Sequence, residues 1–264
     1  MSGLPAVPPP GSAVPPEPPR RTSVAIPLPF APPLVTYSIL GLTVLVFILQ
    51  KVSVPVYGYI GHGLDLLEFY GARINELIRL GQIWRFITPV LLHASVTHIL
   101  FNMYALYSLG VGMERYYGHG RFLLLYLLGG FAGNVLSFLI MPDSSFSVGA
   151  STSVFGLIAA EGVFLFQNRQ LLGKQAGRAL SNIAFLIIIN LLIGLAPGID
   201  IFGHLGGLLG GLTFAWFAGP RWQVEGISPA LHLVDQREFR DVVLGGGLVL
   251  MLFGGLAVWG MLRG

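Results

Sequence analysis

Gly149-Ala150-Ser151-Thr152-Ser153-Val154-Phe155-Gly156 opens a stretch, 151–167, that is apolar enough to cross a bilayer. It is shorter than the about 20 residues a spanning helix normally takes, which suits a helix that begins below the membrane surface. Later in the chain, Phe202-Gly203-His204-Leu205-Gly206-Gly207 stands near the start of a second such stretch. An even number of crossings separates the two helix starts, so Ser151 and His204 enter the membrane from the same side. At a rise of 1.5 Å per residue their depths differ by about one helical turn or less. A nucleophile and a base placed together just inside the lipid point to cleavage within a membrane.

Composition sets the same frame. The chain of 264 residues is 54% apolar and 10% charged, with 36 Gly, 18 Pro and no Cys. A soluble domain spends about 25% of its residues on charge, so this chain cannot cover a water-facing surface. An all-α, polytopic bundle in a lipid bilayer follows. The net charge of +3 does not imply a nucleic-acid partner, because the basic residues fall singly between apolar runs and form no stripe that tracks phosphates. Without cysteine there is no disulfide framework and no thiolate metal site.

Prolines crowd residues 1–33, where Arg20-Arg21 is the one basic pair. Such a tract has too little apolar surface to offset the cost of ordering, and is expected to be an extended cytoplasmic tail. Only Val24-Ala25-Ile26 separates the arginines from more proline, which does not make a secretory signal.

Seven stretches reach spanning length within a few residues: 34–54, 91–112, 121–141, 151–167, 180–197, 201–219 and 242–262. A cytoplasmic N-terminus puts Arg20, Arg21, Arg115, Arg121, Arg169, Lys174, Arg178, Arg221, Arg237 and Arg240 inside. It leaves only Lys51, Arg73, Arg79, Arg85 and Arg263 outside, as the positive-inside rule asks. The long outer connection 55–90 mixes apolar and charged residues like an amphipathic helical hairpin lying in the interface. Residues 220–241 read as a cytoplasmic linker, and 242–264 as an extra C-terminal transmembrane helix. Gly203, Gly207 and Gly211 share one face of the sixth span, and Gly156 and Ala160 lie on the fourth. Small faces of this kind let helices approach closely in lipid.

The polar residues inside the spans narrow the chemistry. Intramembrane ionisable groups are costly and tend to be functional. His98 and Asn102, four apart on one face of the second span, lie at the same outer level as Ser151 and His204. The structural alternative is a hydrogen-bond network that glues the helices. No Asp falls inside a span, which excludes an aspartyl mechanism, and no His-Glu-x-x-His run supports a zinc peptidase. No metal or other cofactor is expected. Glu161 lies about 15 Å deeper than Ser151, too far to orient His204. Hydrolysis then rests on a Ser–His dyad, with His204 taking the Ser151 proton and returning it to the leaving amine. The Ser151 backbone N–H with the His98 and Asn102 side chains would hold the oxyanion.

These motifs resemble the rhomboid family of intramembrane serine proteases: Gly149-Ala150-Ser151, His204 with Gly207 and Gly211, and His98-Ile99-Leu100-Phe101-Asn102. Trp84-Arg85 and Glu114-Arg115 are similar to further family features, and the likeness covers residues 34–219. The resemblance implies a six-helix catalytic domain plus one helix. It implies Ser151 as nucleophile, His204 as base, and an oxyanion site of His98, Asn102, Ser151 and Gly149. Phe155 and Gly207 are implied in substrate contact or packing. It further implies single-span transmembrane proteins as substrates, and a multi-pass protein of the cell membrane whose site opens to the extracytoplasmic side. The chain departs from the pattern at Thr152, where Gly is common, and at Phe155, where Tyr often stands. The competing readings are a catalytically silent membrane scaffold and a small transporter with His93, His98, Asn102, Asn190 and His204 along a polar path.

Overall fold

The computed structural model describes residues 31–227 and 230–263. The proline-rich tail therefore lies, up to residue 30, outside the described residues. In chain order the elements are α1 (Leu34–Tyr57), α2 (Leu66–Gly71), β1 (Arg73–Ile74), α3 (Asn75–Arg79) and α4 (Val96–Ile140). Then come β2 (Phe146–Ser147), α5 (Ser151–Gln167), α6 (Arg169–Leu172) and α7 (Lys174–Ile193). α8 (Ile201–Ala218), β3 (Trp222–Glu225), β4 (His232–Asp235) and α9 (Phe239–Leu262) complete the chain. Among the described residues α1, α4, α7, α8 and α9 are long and apolar enough to cross a membrane, and α5 is a shorter apolar helix.

At 45 residues, α4 is too long for one crossing. Unbroken, it would measure about 68 Å, against a hydrocarbon core of about 30 Å. Gly118, with φ 74° and ψ 165°, breaks it, a conformation that glycine adopts without a Cβ penalty. A Cβ on Gly110 would lie 3.2 Å from the Phe122 ring, whereas twelve residues along a straight helix span about 18 Å. The two arms of α4 therefore fold back on each other and are the second and third expected spans. The result is an all-α polytopic membrane bundle, with two short antiparallel ladders among the described residues, β1–β2 and β3–β4.

Two expected boundaries move. The second span starts at Ser95, whose Oγ accepts the His98 N–H at 3.1 Å, because Pro89 and two 3-10 turns occupy 83–91. The fifth runs over Lys174–Ile193 and stops ahead of Pro197-Gly198.

α5, α8 and the second arm of α4 form the centre. A Cβ on Gly207 would sit 2.0 Å from the Thr152 carbonyl oxygen, and one on Gly211 2.2 Å from that of Gly156. On the other side of α8, Gly206 faces the Ala132 carbonyl and Gly210 the Ala132 methyl. These backbones touch because no side chain stands between them. α9 leans on the same group, with Gly245 against Phe214 and Gly260 against Phe138. α7 buries only Ala176 and Ile183. α1 is held by Glu114, which accepts the Val35 and Thr36 N–H groups at 2.8 and 2.7 Å and so caps that helix from α4.

The connection 55–90 is not a hairpin of amphipathic helices. It is a chain of very short helices and turns in which Asp65, Glu68, Arg73 and Arg85 are buried while Glu76 is exposed. Arg85 donates to the carbonyls of Ala72 (2.6 Å) and Phe69 (2.7 Å), and the Asn75 amide to those of Phe138, Met141 and Pro142. Chain broken this often exposes backbone acceptors, and buried polar acceptors need donors; Arg85 and Asn75 supply them. Desolvation lowers the pKa of the Arg73 and Arg85 guanidinium groups below the usual value. The linker 220–241 also gains structure: β3 and β4 pair with Trp222 opposite Asp235. Arg121 ties Asp235 to the bundle at 2.5 Å, and the Asn168 amide accepts the Trp222 N–H at 2.8 Å.

Candidate active site

Ser151 is the first residue of α5, and the chain reaches it through a sharp bend at Gly149, φ 134°. The bend is fixed from two sides. The Gly149 N–H donates to the Pro89 carbonyl at 2.9 Å, and the Ala150 N–H to His93 Nε2 at 3.4 Å. His93 is fully buried, and its backbone exchanges hydrogen bonds with the Gln50 amide on α1. The first intrahelical bond of α5 comes from Val154 to Ala150, so the N–H groups of Ser151, Thr152 and Ser153 precede the helical ladder. Such a terminus presents free donors and a partial positive charge.

His204 lies one turn into α8. Its Nε2 is 3.0 Å from Ser151 Oγ, a hydrogen bond joining residues from two helices. The imidazole is stacked on Phe155, with centroids 4.2 Å apart and planes 14° from parallel. Phe155 lies one turn below Ser151 on α5, so one helix supplies both the hydroxyl and the wall that orients the ring. His204 Nδ1 is buried without a hydrogen-bond partner among the described residues.

His98 closes the opposite side. A Cβ on Gly149 would lie 2.8 Å from His98 Nε2 and 3.6 Å from Ser151 Oγ. A side chain at 149 would collide with the His98 imidazole, and the φ of 134° there is one that glycine adopts freely. His98 also packs edge-on against His93, with centroids 5.0 Å apart. Asn102, one turn further along α4, donates its amide to the His98 carbonyl at 3.0 Å. Gly207 lies against Thr152 beside the pair, and the Thr152 side chain wedges between Gly133 and Gly203. Ser151, His204, His98, Gly149, Phe155 and Gly207 thus meet at one end of the bundle, and Asn102 borders them. Glu161 lies apart from this group, along α5. It lines a cavity of about 210 Å³ with Tyr116, Asn168 and Trp222, and its Oε2 has no hydrogen-bond partner among the described residues.

Asp200 was not singled out in the sequence because it falls just outside a span. Its Oδ1 accepts the Gly203 N–H at 2.8 Å, and its carbonyl accepts the His204 N–H at 3.1 Å. It is the N-cap of the helix that carries the histidine. The signal was present as an Asp immediately before an apolar run.

Comparisons with known proteins identify the family of the chain. The Rhomboid domain profile matches residues 80–221, more than half of the chain. The chain is 38% identical over 197 residues, 74% of its length, to "Rhomboid protease GluP" of Bacillus subtilis. It is 38% identical over 203 residues to "Rhomboid-like protease 1" of Toxoplasma gondii, covering 68% of that protein. It is 37% identical over 159 residues to "RHOMBOID-like protein 1" of Arabidopsis thaliana. The match spans only 37% of the Bacillus protein's length and 40% of the Arabidopsis protein's. With its family profile, its relatives and its bundle of apolar helices in accord, the chain belongs to the rhomboid family.

Proposed function

We propose that the chain is an intramembrane serine endopeptidase that cleaves single-span transmembrane proteins. The observation that carries the reading is the 3.0 Å contact between Ser151 Oγ and His204 Nε2, held on two helices with no side chain between their backbones. His204 takes the serine proton as Oγ attacks the scissile carbonyl, then delivers it to the leaving amine. Water attacks the acyl-enzyme in turn, with the same histidine as base. The oxyanion is met by the Ser151 N–H at the start of α5 and by the His98 side chain against Gly149. Asn102 contributes the amide hydrogen that is not donated to the His98 carbonyl. Residues 34–219 form the catalytic unit, with 242–264 as an added helix. By the distribution of Lys and Arg, the N-terminus is cytoplasmic and the site opens to the extracytoplasmic side of the cell membrane.

The test is turnover of a model transmembrane substrate by purified Ser151→Ala and His204→Ala in detergent. Each is expected to lose on the order of 10⁶ in kcat, as in soluble serine proteases, while melting like the parent. Unimpaired cleavage by either variant refutes the dyad.

A further inference from the structure

The two reacting side chains come from different helices, and something must hold those helix starts in register. Asp200 Oδ2, on the free side of the α8 cap, accepts the Ser137 hydroxyl at 2.5 Å and lies 3.7 Å from Arg73 Nη2. The Arg73 side chain is fully buried. The same guanidinium reaches Ser145 Oγ at 3.4 Å and bonds Asn75, whose amide caps the end of α4. Arg73 also sits in β1, paired with Ser147 of β2. β2 leads directly through Val148 to Gly149 and Ser151.

One buried cation therefore touches both supports. On one side is the carboxylate that caps the helix of His204, and on the other the segment that delivers Ser151. We infer that Arg73, through Asp200 and Ser145, is a positioning residue that keeps His204 Nε2 within hydrogen-bond reach of Ser151 Oγ. The inference rests on the Ser–His reading and assigns a task to the outer connection 55–90. Burial lowers the Arg73 pKa, and the Asp200 carboxylate opposes that shift. A fork of donors suits this junction, since it reaches a carboxylate and a hydroxyl at once; a lysine ammonium is a point charge on a flexible stem.

The experiment compares Asp200→Asn, Arg73→Gln, Arg73→Lys and the Arg73→Gln/Asp200→Asn double variant with the parent. Turnover and labelling by a serine-directed fluorophosphonate are read per folded molecule, with melting in the same detergent. A misplacement of about 1 Å costs about 10²-fold in rate. Asp200→Asn and Arg73→Gln are therefore expected to lower kcat by about 10- to 100-fold with KM nearly unchanged, and to slow labelling by the same factor. Arg73→Lys should recover part of the loss. The double variant should be no slower than the slower single, because removing both partners leaves no unpaired buried charge. Asp200→Asn keeps an acceptor for the Gly203 N–H and carries the test alone if Arg73→Gln does not fold. Parental kcat and labelling in Asp200→Asn, or a rise in KM with kcat unchanged, overturn the positioning role. So does a fall in kcat without slower labelling. Ser151→Ala runs alongside: its inactivity separates those outcomes from failure of the dyad itself, which an active Ser151→Ala would show.

Discussion

Gly207→Ala adds one methyl group, and the structure leaves no room for it. The new Cβ would lie 2.0 Å from the Thr152 carbonyl oxygen, whereas ordinary van der Waals contact begins near 3.4 Å. The shortfall is about 1.4 Å against backbone, which cannot rotate away as a side chain would. α8 must therefore move off α5 by about that amount, next to Thr152 on one helix and one turn from His204 on the other. The Ser151–His204 separation of 3.0 Å would open beyond hydrogen-bond reach. Overpacking costs about 1–3 kcal/mol of stability, and a 1 Å displacement of reacting groups about 10²-fold in rate. Gly207→Ala is thus expected to melt early and to lose about 10² in kcat and in fluorophosphonate labelling. The control is Gly254→Ala on α9, where a Cβ meets nothing within 4 Å. There the intrinsic preference for Ala over Gly in a helix, up to about 1 kcal/mol, should leave stability equal or higher and turnover unchanged. Parental melting and labelling in Gly207→Ala would refute the close approach of these helices.

Other outcomes follow from the same geometry. His98→Ala is expected to lower kcat by about 10²–10³ with little change in KM; a variant that melts early but cuts at the parental rate would demote His98 to packing. Phe155→Tyr should retain most activity and Phe155→Ala lose up to about tenfold, the worth of an aromatic contact of about 0.5–1.5 kcal/mol; equal rates in all three would remove the stack from the mechanism. EDTA should leave turnover unchanged, and a loss restored by zinc would instead assign His93, His98 and His204 to a metal. Single cysteines replacing the exposed Leu80 and Ser144 should react with an impermeant maleimide in intact cells, and one replacing Ile227 only after permeabilisation; the reverse pattern would invert the orientation.

What could be read in advance was what local spacing controls. Ser151 and His204 were legible because each stands near the start of an apolar run, and the rise of a helix converts position into depth. The glycine faces on α8 were legible for the same reason. The division of α4 was marked by the polar run around Glu114-Arg115 and Gly118, whose non-helical φ and ψ separate the two arms. The connection 55–90 was not legible, because Arg73 and Asn75 meet a carboxylate and carbonyls far away in the chain, and Arg85 turns back onto the carbonyls of Phe69 and Ala72 within the connection itself. A charged side chain beside apolar ones reads as an interfacial helix until its partner is known. The β3–β4 hairpin escaped notice because its strands are four residues each, and what holds them is Arg121 and Asn168 from other elements. Asp200 stands outside every apolar run, and its role as the cap of α8 depends on the Gly203 N–H and the Ser137 hydroxyl that the fold brings to it.

The brevity of α5 has a consequence for the second half of the reaction. At 17 residues it is about 25 Å long, while α1 with 24 reaches about 36 Å. Against a hydrocarbon layer of about 30 Å, α5 is too short to cross fully, and on the proposed reading Ser151 at its start lies below the membrane surface. On the proposed Ser–His reading, an acyl-enzyme formed there is released by water that has to reach Ser151 from the membrane surface. Lipids with longer acyl chains would lengthen that path while leaving the Ser151–His204 contact untouched. In such bilayers the acylated enzyme should accumulate, so membrane thickness would govern how fast the enzyme is freed for its next substrate.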